Sequence, residues 1–191
     1  MKTALVATGA AALFLTVTAA QAGTWEDLFN GRDLTGWEPQ SKADWRVEGG
    51  AIVATKGKDG LLTTQGRYRD FELELEFRAG EETESGVMLA SPKEVANSSS
   101  ECYEVNIAPT SSGYPTGSLT GRLRSTDPSD SPDWRRMRVK VENGKVEVWI
   151  DGKQVVTYAD RRPLGAGHIG LEFKRGKVEF RSIRIQKLDL P

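Results

Sequence analysis

One cysteine and one histidine in 191 residues exclude several kinds of chemistry before any motif is read. Cys102 has no partner for an internal disulfide, and one thiol with one imidazole cannot assemble the soft-ligand set of a zinc site. A hard, oxygen-bound ion such as calcium is the one metal class left open, and no other cofactor is expected. The acidic residues between Asp127 and Asp133 carry oxygens of that kind, but Pro128, Ser129, Ser131 and Pro132 among them read as a plain turn. Charge is also nearly absent in net terms: 26 lysines and arginines face 27 acidic residues, a formal charge of −1. No basic stripe invites nucleic acid. Beyond the N-terminal segment no apolar run approaches the ~20 residues of a spanning helix, so no membrane span is expected.

The apolar run that does exist is N-terminal. Met1-Lys2 supplies a positive start, residues 4–20 are apolar or small, and Ala20-Gln21-Ala22 has the small-x-small form read by signal peptidase. Residues 1–22 are therefore expected to be a signal peptide, residues 23–191 a single domain, and the protein periplasmic or secreted. About 170 residues suffice to bury a real core.

What fills that domain is β-alternation. Phe71, Leu73, Leu75 and Phe77 alternate with three glutamates and Arg78, so one face is core and the other is wet. Met137, Val139 and Val141 alternate likewise. Asn143-Gly144 then offers a two-residue turn with both positions able to take positive φ, and Val146, Val148 and Ile150 return. Asp151-Gly152 closes the next hairpin into Val155 and Val156. Such a meander, with no helical periodicity elsewhere, predicts an all-β class and a two-sheet antiparallel jelly-roll sandwich. Val178 and Phe180 are in one phase and Ile183 and Ile185 in the other, which predicts a β-bulge near Arg181-Ser182. Residues 91–100, 108–117 and 125–132 read as loops.

The pleat also sorts the candidate site residues. Tyr103, Val105 and Ile107 go to the core, leaving Cys102, Glu104 and Asn106 on the other face. The same logic groups Glu84, Gly86 and Met88, and then His168, Gly170 and Glu172. If these strands are neighbours, one concave surface carries Glu84, Glu104, Asn106, His168 and Glu172. The plainer readings stand beside this one. Glu72, Glu74 and Glu76 are what any half-exposed strand shows, Glu104 has an ion pair with Arg122 or Arg124 as its structural alternative, and His168 has a strand hydrogen bond. Cys102 reads as a semi-buried structural thiol. Of the five tryptophans, Trp149 shares a face with Lys145 and Glu147 and is expected to face solvent, where it can stack on a sugar ring.

Leu28-Phe29-Asn30-Gly31-Arg32-Asp33-Leu34-Thr35-Gly36-Trp37 resembles the opening of the 3-keto-disaccharide hydrolase family, also described as 3-keto-glucoside lyase/hydratase domains. The resemblance continues in order through Trp45 to Ile52, Tyr68 to Leu73, Ser85-Gly86-Val87, Tyr103 to Ile107, Thr116 to Leu119, Trp134, Ile169 to Glu172 and Val178 to Ile183. It implies a concanavalin A-like fold and action on sugars whose hydroxyl at position three has been oxidised to a ketone. The ketone acidifies the proton on the neighbouring carbon, so a base can remove it and expel the glycosidic oxygen, after which water adds back. On this resemblance Glu104 is the leading catalytic residue with Glu84 or His168 as partner, and Asn106, Arg122, Trp134 and Glu172 position the sugar. Glu84, Ala90, Asn106 and Glu172 depart from the residues the family commonly has there. The alternative is a carbohydrate-binding sandwich without catalysis.

If the leader is cleaved as Ala20-Gln21-Ala22 implies, mass spectrometry of exported protein will find Gly23 at the N-terminus. A cytoplasmic chain beginning at Met1 would contradict this.

Overall fold

The computed structural model describes residues 23–188, so the expected signal peptide lies outside the described residues. Among the described residues, thirteen strands and one helical turn follow one another. They are β1 (Trp25–Asp27), β2 (Trp37–Pro39), β3 (Arg46–Glu48), β4 (Ala51–Ala54), β5 (Gly60–Thr64), β6 (Phe71–Ala79), β7 (Glu84–Ser91), α1 (Ser98–Glu101), β8 (Tyr103–Ile107), β9 (Arg135–Glu142), β10 (Lys145–Ile150), β11 (Lys153–Ala159), β12 (His168–Arg175) and β13 (Val178–Lys187). Two antiparallel sheets result. The larger runs β11-β10-β9-β6-β13-β4-β3 with β1 added on β13, and the smaller runs β2-β5-β12-β7-β8.

The pleat dictates which faces meet. Along β6, burial alternates residue by residue, with Phe71, Leu73, Leu75 and Phe77 almost wholly buried. Val87, Leu89, Tyr103, Val105, Ile107, Ile169, Leu171 and Phe173 answer them from the smaller sheet in one continuous core. Each large apolar side chain removed from water contributes about 1.5–3 kcal/mol. No helix is needed to cover either sheet, because each covers the other.

Turn chemistry sets the register. Asn143 (φ 51°) and Gly144 (φ 79°) form the β9–β10 turn, and Asp151 (φ 51°) and Gly152 (φ 83°) the β10–β11 turn. Consecutive positive φ values match the right-handed twist of a two-residue hairpin. The bulge expected near Arg181-Ser182 is present: β13 shifts register against β6 between Arg181 and Arg184, with Ser182 at φ 52°.

The outer face of the larger sheet is a ladder of cross-strand ion pairs, among them Arg138–Glu72, Arg184–Glu74, Arg181–Glu76 and Arg78–Glu179. Tryptophans are laid into it. Arg184 caps Trp25, Arg138 caps Trp149, and Arg78 and Arg181 both lie over Trp134. Trp149 therefore already carries a guanidinium 4.6 Å from its ring centroid.

Ser182 is exposed and holds a backbone conformation that L side chains disfavour by about 1–2 kcal/mol. Glycine there gives back part of that gain through the unfolded chain. Ser182→Gly is thus expected to raise the urea midpoint, by up to about 1 kcal/mol in stability; a lower midpoint would show that the bulge is held by the serine.

Candidate functional site

The outer face of the smaller sheet differs from the ladder opposite. Register puts Gly86 of β7 across from Glu172 of β12 on one side and Asn106 of β8 on the other, and Met88 across from Gly170 and Glu104. Glu104 and Glu172 thus stand diagonally about Gly86. A side chain at Gly86 would place its first carbon 3.3 Å from Glu104 Cγ and 3.4 Å from Glu172 Oε2. A glycine in mid-strand is costly, and here its missing side chain is the space into which the two carboxylates fold.

Two carboxylates this close need a cation. Lys174 supplies it, with Nζ 3.4 Å from Glu104 Oε1 and 3.2 Å from Glu172 Oε1. The Glu104 side chain is 1% exposed, Glu172 9% and Lys174 40%. Glu104 is the back of the arrangement, Glu172 the middle and Lys174 the front. Burial pushes the Glu172 carboxyl up to about 7, with Lys174 opposing the rise and Glu104 adding to it. Burial also works against the Lys174 ammonium, but the two carboxylates outweigh it and hold its pKa above the usual lysine value.

A cleft of about 350 Å³ opens onto Glu172 and Lys174. Leu61 and Met88 lie at its base, and its far wall is the excursion between β7 and β8, including Lys93, Val95 and Ser98. That excursion is anchored by the Lys93–Glu38 ion pair and by Val95 packing on Leu61, Met88 and Cys102. Cys102 is fully buried and its thiol is pushed up to about 12 by burial, then by Glu104, so it is a protonated packing group. On the other side, residues 117–120 run along the free edge of β8. Asn106 N–H donates to the Ser118 carbonyl (2.9 Å) and Thr120 N–H to the Glu104 carbonyl (3.0 Å).

Unmet hydrogen bonding also concentrates here. Among the described residues, Glu104 Oε2, Glu172 Oε2, Thr120 Oγ1, Arg122 Nη1 and Trp45 Nε1 are buried without a partner. Four of those five belong to Glu104, Glu172, Thr120 in the segment beside β8, or Arg122 just beyond it. Buried orphan polar atoms cost about 1–3 kcal/mol each and are kept where they serve something other than stability.

The expected site residues divide accordingly. Glu104, Glu172 and Asn106 share the face, with the Asn106 amide donating to the Tyr114 carbonyl. Glu84, at the start of β7, turns to Arg175 instead (2.8 Å). His168 lies at the opposite end of β12 from the pair, and its Nδ1–H donates to the Thr64 and Gly66 carbonyls at 2.8 and 3.0 Å, the structural alternative read for it. Trp134 is on the other sheet altogether, between Arg78 and Arg181. The expected arginine partner of Glu104 is also corrected. Arg122 stacks 4.8 Å over Tyr103 and Arg124 donates to the Ser112 and Gly113 carbonyls, while Lys174 takes the carboxylate. Lys174 was missed, although its phase, two residues beyond Glu172, placed it on this face. In the acidic turn, Asp127 pairs with Lys153 and Asp130 accepts from Thr110.

A second cavity, about 370 Å³, opens at the end of the sandwich between Phe77 and Ile107. Several of its polar groups are already engaged, Arg135 with Asp151 and Ser129, and Thr116 with the Ala108 carbonyl.

The sequence pattern of the 3-keto-alpha-glucoside-1,2-lyase-like domain matches residues 24–186. No curated protein sequence matches the chain. Among solved structures, a candidate glycosyl hydrolase from Parabacteroides distasonis ATCC 8503 superposes with a TM-score of 0.75 at 20% identity, over 87% of this chain and 94% of that one. Another from the same organism gives 0.71 at 23% identity, over 86% and 99%. A carbohydrate-binding module from Bacillus subtilis gives 0.63 at 16% identity, over 80% and 96%. At these identities the likeness is one of fold, a lectin-like β-sandwich.

Because the native state holds the Glu172 proton more tightly than the unfolded chain, its contribution to stability is greatest below the ordinary carboxylate value and falls as pH rises. The gap from 4.5 to about 7 corresponds to about 3 kcal/mol at ~1.4 kcal/mol per unit. Relative to Glu172→Gln, the wild type should lose about that much between pH 4.5 and 7. Parallel melting-temperature curves for the two proteins would refute the shift.

Proposed function

Since this chain belongs to the family of 3-keto-alpha-glucoside-1,2-lyase-like domains, we propose that it is an exported enzyme that cleaves 3-keto-glycosides or 3-keto-disaccharides, by elimination followed by hydration. The observation that carries this reading is the buried carboxylate pair about Gly86, held by Lys174, with Glu172 and Lys174 lining an open cleft.

The chemistry required is removal of a weakly acidic proton from carbon two of the sugar, beside the ketone. A general base works best when its pKa lies near the operating pH, and Glu172 meets that condition while also lining the cleft. Glu172 is therefore the base, and Glu104 behind it raises its proton affinity. As the carbon–hydrogen bond breaks, the electron pair forms an enolate. Its collapse makes a carbon one–carbon two double bond and expels the glycosidic oxygen, which takes up the proton held by Glu172 and leaves as an alcohol. Water then adds across that double bond, hydroxyl to carbon one and hydrogen to carbon two, so the net change is hydrolysis without a redox step. A carbohydrate-binding role without turnover has one observation in its favour, the near-complete shielding of Glu104.

The decisive experiment incubates the protein with a 3-keto-glycoside and follows release of the aglycone. Turnover should rise with pH through about 7. Glu172→Gln is expected to lose ~10²–10⁴-fold in rate, whereas Glu104→Gln should retain part of the rate with its pH inflection moved downward. Glu84→Gln, outside the cluster, should stay near wild type. Binding of the ketosugar with no aglycone released would establish the binding role instead.

A further inference from the structure

We propose that Lys174 is itself a catalytic residue, whose ammonium donates a hydrogen bond to the ketone oxygen and holds the negative charge that gathers there as carbon two loses its proton. This rests on the reading of the site as a 3-keto-glycoside-cleaving centre.

Three observations converge on it. The first is reach: of the three charges in the cluster Lys174 is the most exposed, at 40% against 9% and 1%, and it lines the cleft beside Glu172. The second is spare donor capacity. Nζ carries three N–H groups, and only two are used, over the long distances of 3.4 and 3.2 Å. The third is placement. β12 slips against β7 between Phe173 and Arg175, so that Arg175 rather than Lys174 faces Glu84 and takes its carboxylate at 2.8 Å. The slip leaves Lys174 to the buried pair.

The need for such a group follows from charge. An enolate forming beside Glu104 and the newly protonated Glu172 meets a remaining carboxylate, which repels it. A cation already fixed there without reorganisation is the arrangement that stabilises developing oxyanions most effectively in a shielded site. The other charges on the cleft walls do not serve: Asp59 and Glu94 are acidic, and Lys93 stands on the far wall, paired with Glu38. In the step itself the carbon–hydrogen electron pair moves to the carbon two–carbon three bond, and the ketone π pair moves to its oxygen. The proton goes to Glu172, and Lys174 keeps its own proton while bonding the oxygen.

The test separates enolate formation from bond cleavage. Wild type, Lys174→Met and Lys174→Gln, with folding checked by thermal melts, are given a methyl 3-keto-glucoside in deuterated water across a pH range. Deuterium uptake at carbon two and methanol release are both followed. On the high-pH plateau, where the base is ionised in every protein, both rates are expected to fall together by ~10²–10³-fold in the variants. Plateau rates equal to wild type, with only the inflection displaced, would show that Lys174 merely tunes Glu172 and would overturn the proposal. A wild type that neither exchanges nor releases would instead overturn the function on which it rests. Should the neutral variants fail to fold, nitrogen-15 NMR of the wild type with the 3-keto derivative of 1,5-anhydroglucitol, which has no leaving group, gives the answer. A shifted Lys174 ammonium resonance is expected, and an unmoved one would overturn the proposal.

Discussion

The apolar interface between the two sheets is the constraint on which everything else in this molecule depends. With no disulfide available and a helical content limited to one turn among the described residues, the alternating side chains of β6, β9 and β13 must find their cover in those of β7, β8 and β12. Once that interface forms, the pleat leaves no freedom: every residue out of phase with the core goes to an outer face. The two outer faces then solve the problem of packed charge in different ways.

On the larger sheet, acids and arginines sit directly or diagonally across from one another and neutralise in pairs, with three tryptophans stacked beneath guanidinium groups. Such pairs contribute little individually, but they match most of the charges on that face. On the smaller sheet the excursion between β7 and β8 walls the face and the segment beside β8 closes its edge, so charge there is shielded. Two carboxylates share one lysine, and each retains an oxygen with no partner. A fold selected for stability alone would replace such a pair with apolar groups. The contrast between the two faces, more than any single residue, locates the function.

The same contrast explains which site residues were legible from sequence. Glu104 and Glu172 could be placed on one face because strand period is two, and their neighbours Gly86 and Asn106 came with them. Glu84 has the right phase too, yet it sits at a strand end where a register slip delivers Arg175 to it. His168 has the right phase but lies four residues away along β12, ~13 Å at ~3.3 Å per residue, and its ring is committed to two carbonyls. Trp134 precedes β9, and nothing in its local sequence says which sheet it will lie against. Phase assigns a face. It does not assign a position along the strand, a neighbour or a partner.

What the sequence determined by itself is whatever depends on contacts between near neighbours in the chain: the all-β class, the core face of β6, the two Asn-Gly and Asp-Gly turns, and the bulge in β13. Strand period and turn dihedrals are local, and no distant residue can overrule them cheaply. Only the tertiary structure decided that Glu104, Glu172 and Lys174 form one cluster, that Glu104 lies behind and Lys174 in front, and that residues 117–120 complete the sheet at β8. Those facts are set by strand order, by a one-residue slip in β12 and by which loops cover which face. They depend on pairings across some seventy residues of chain, Lys174 with Glu104 being the longest in the cluster, and so no local pattern records them.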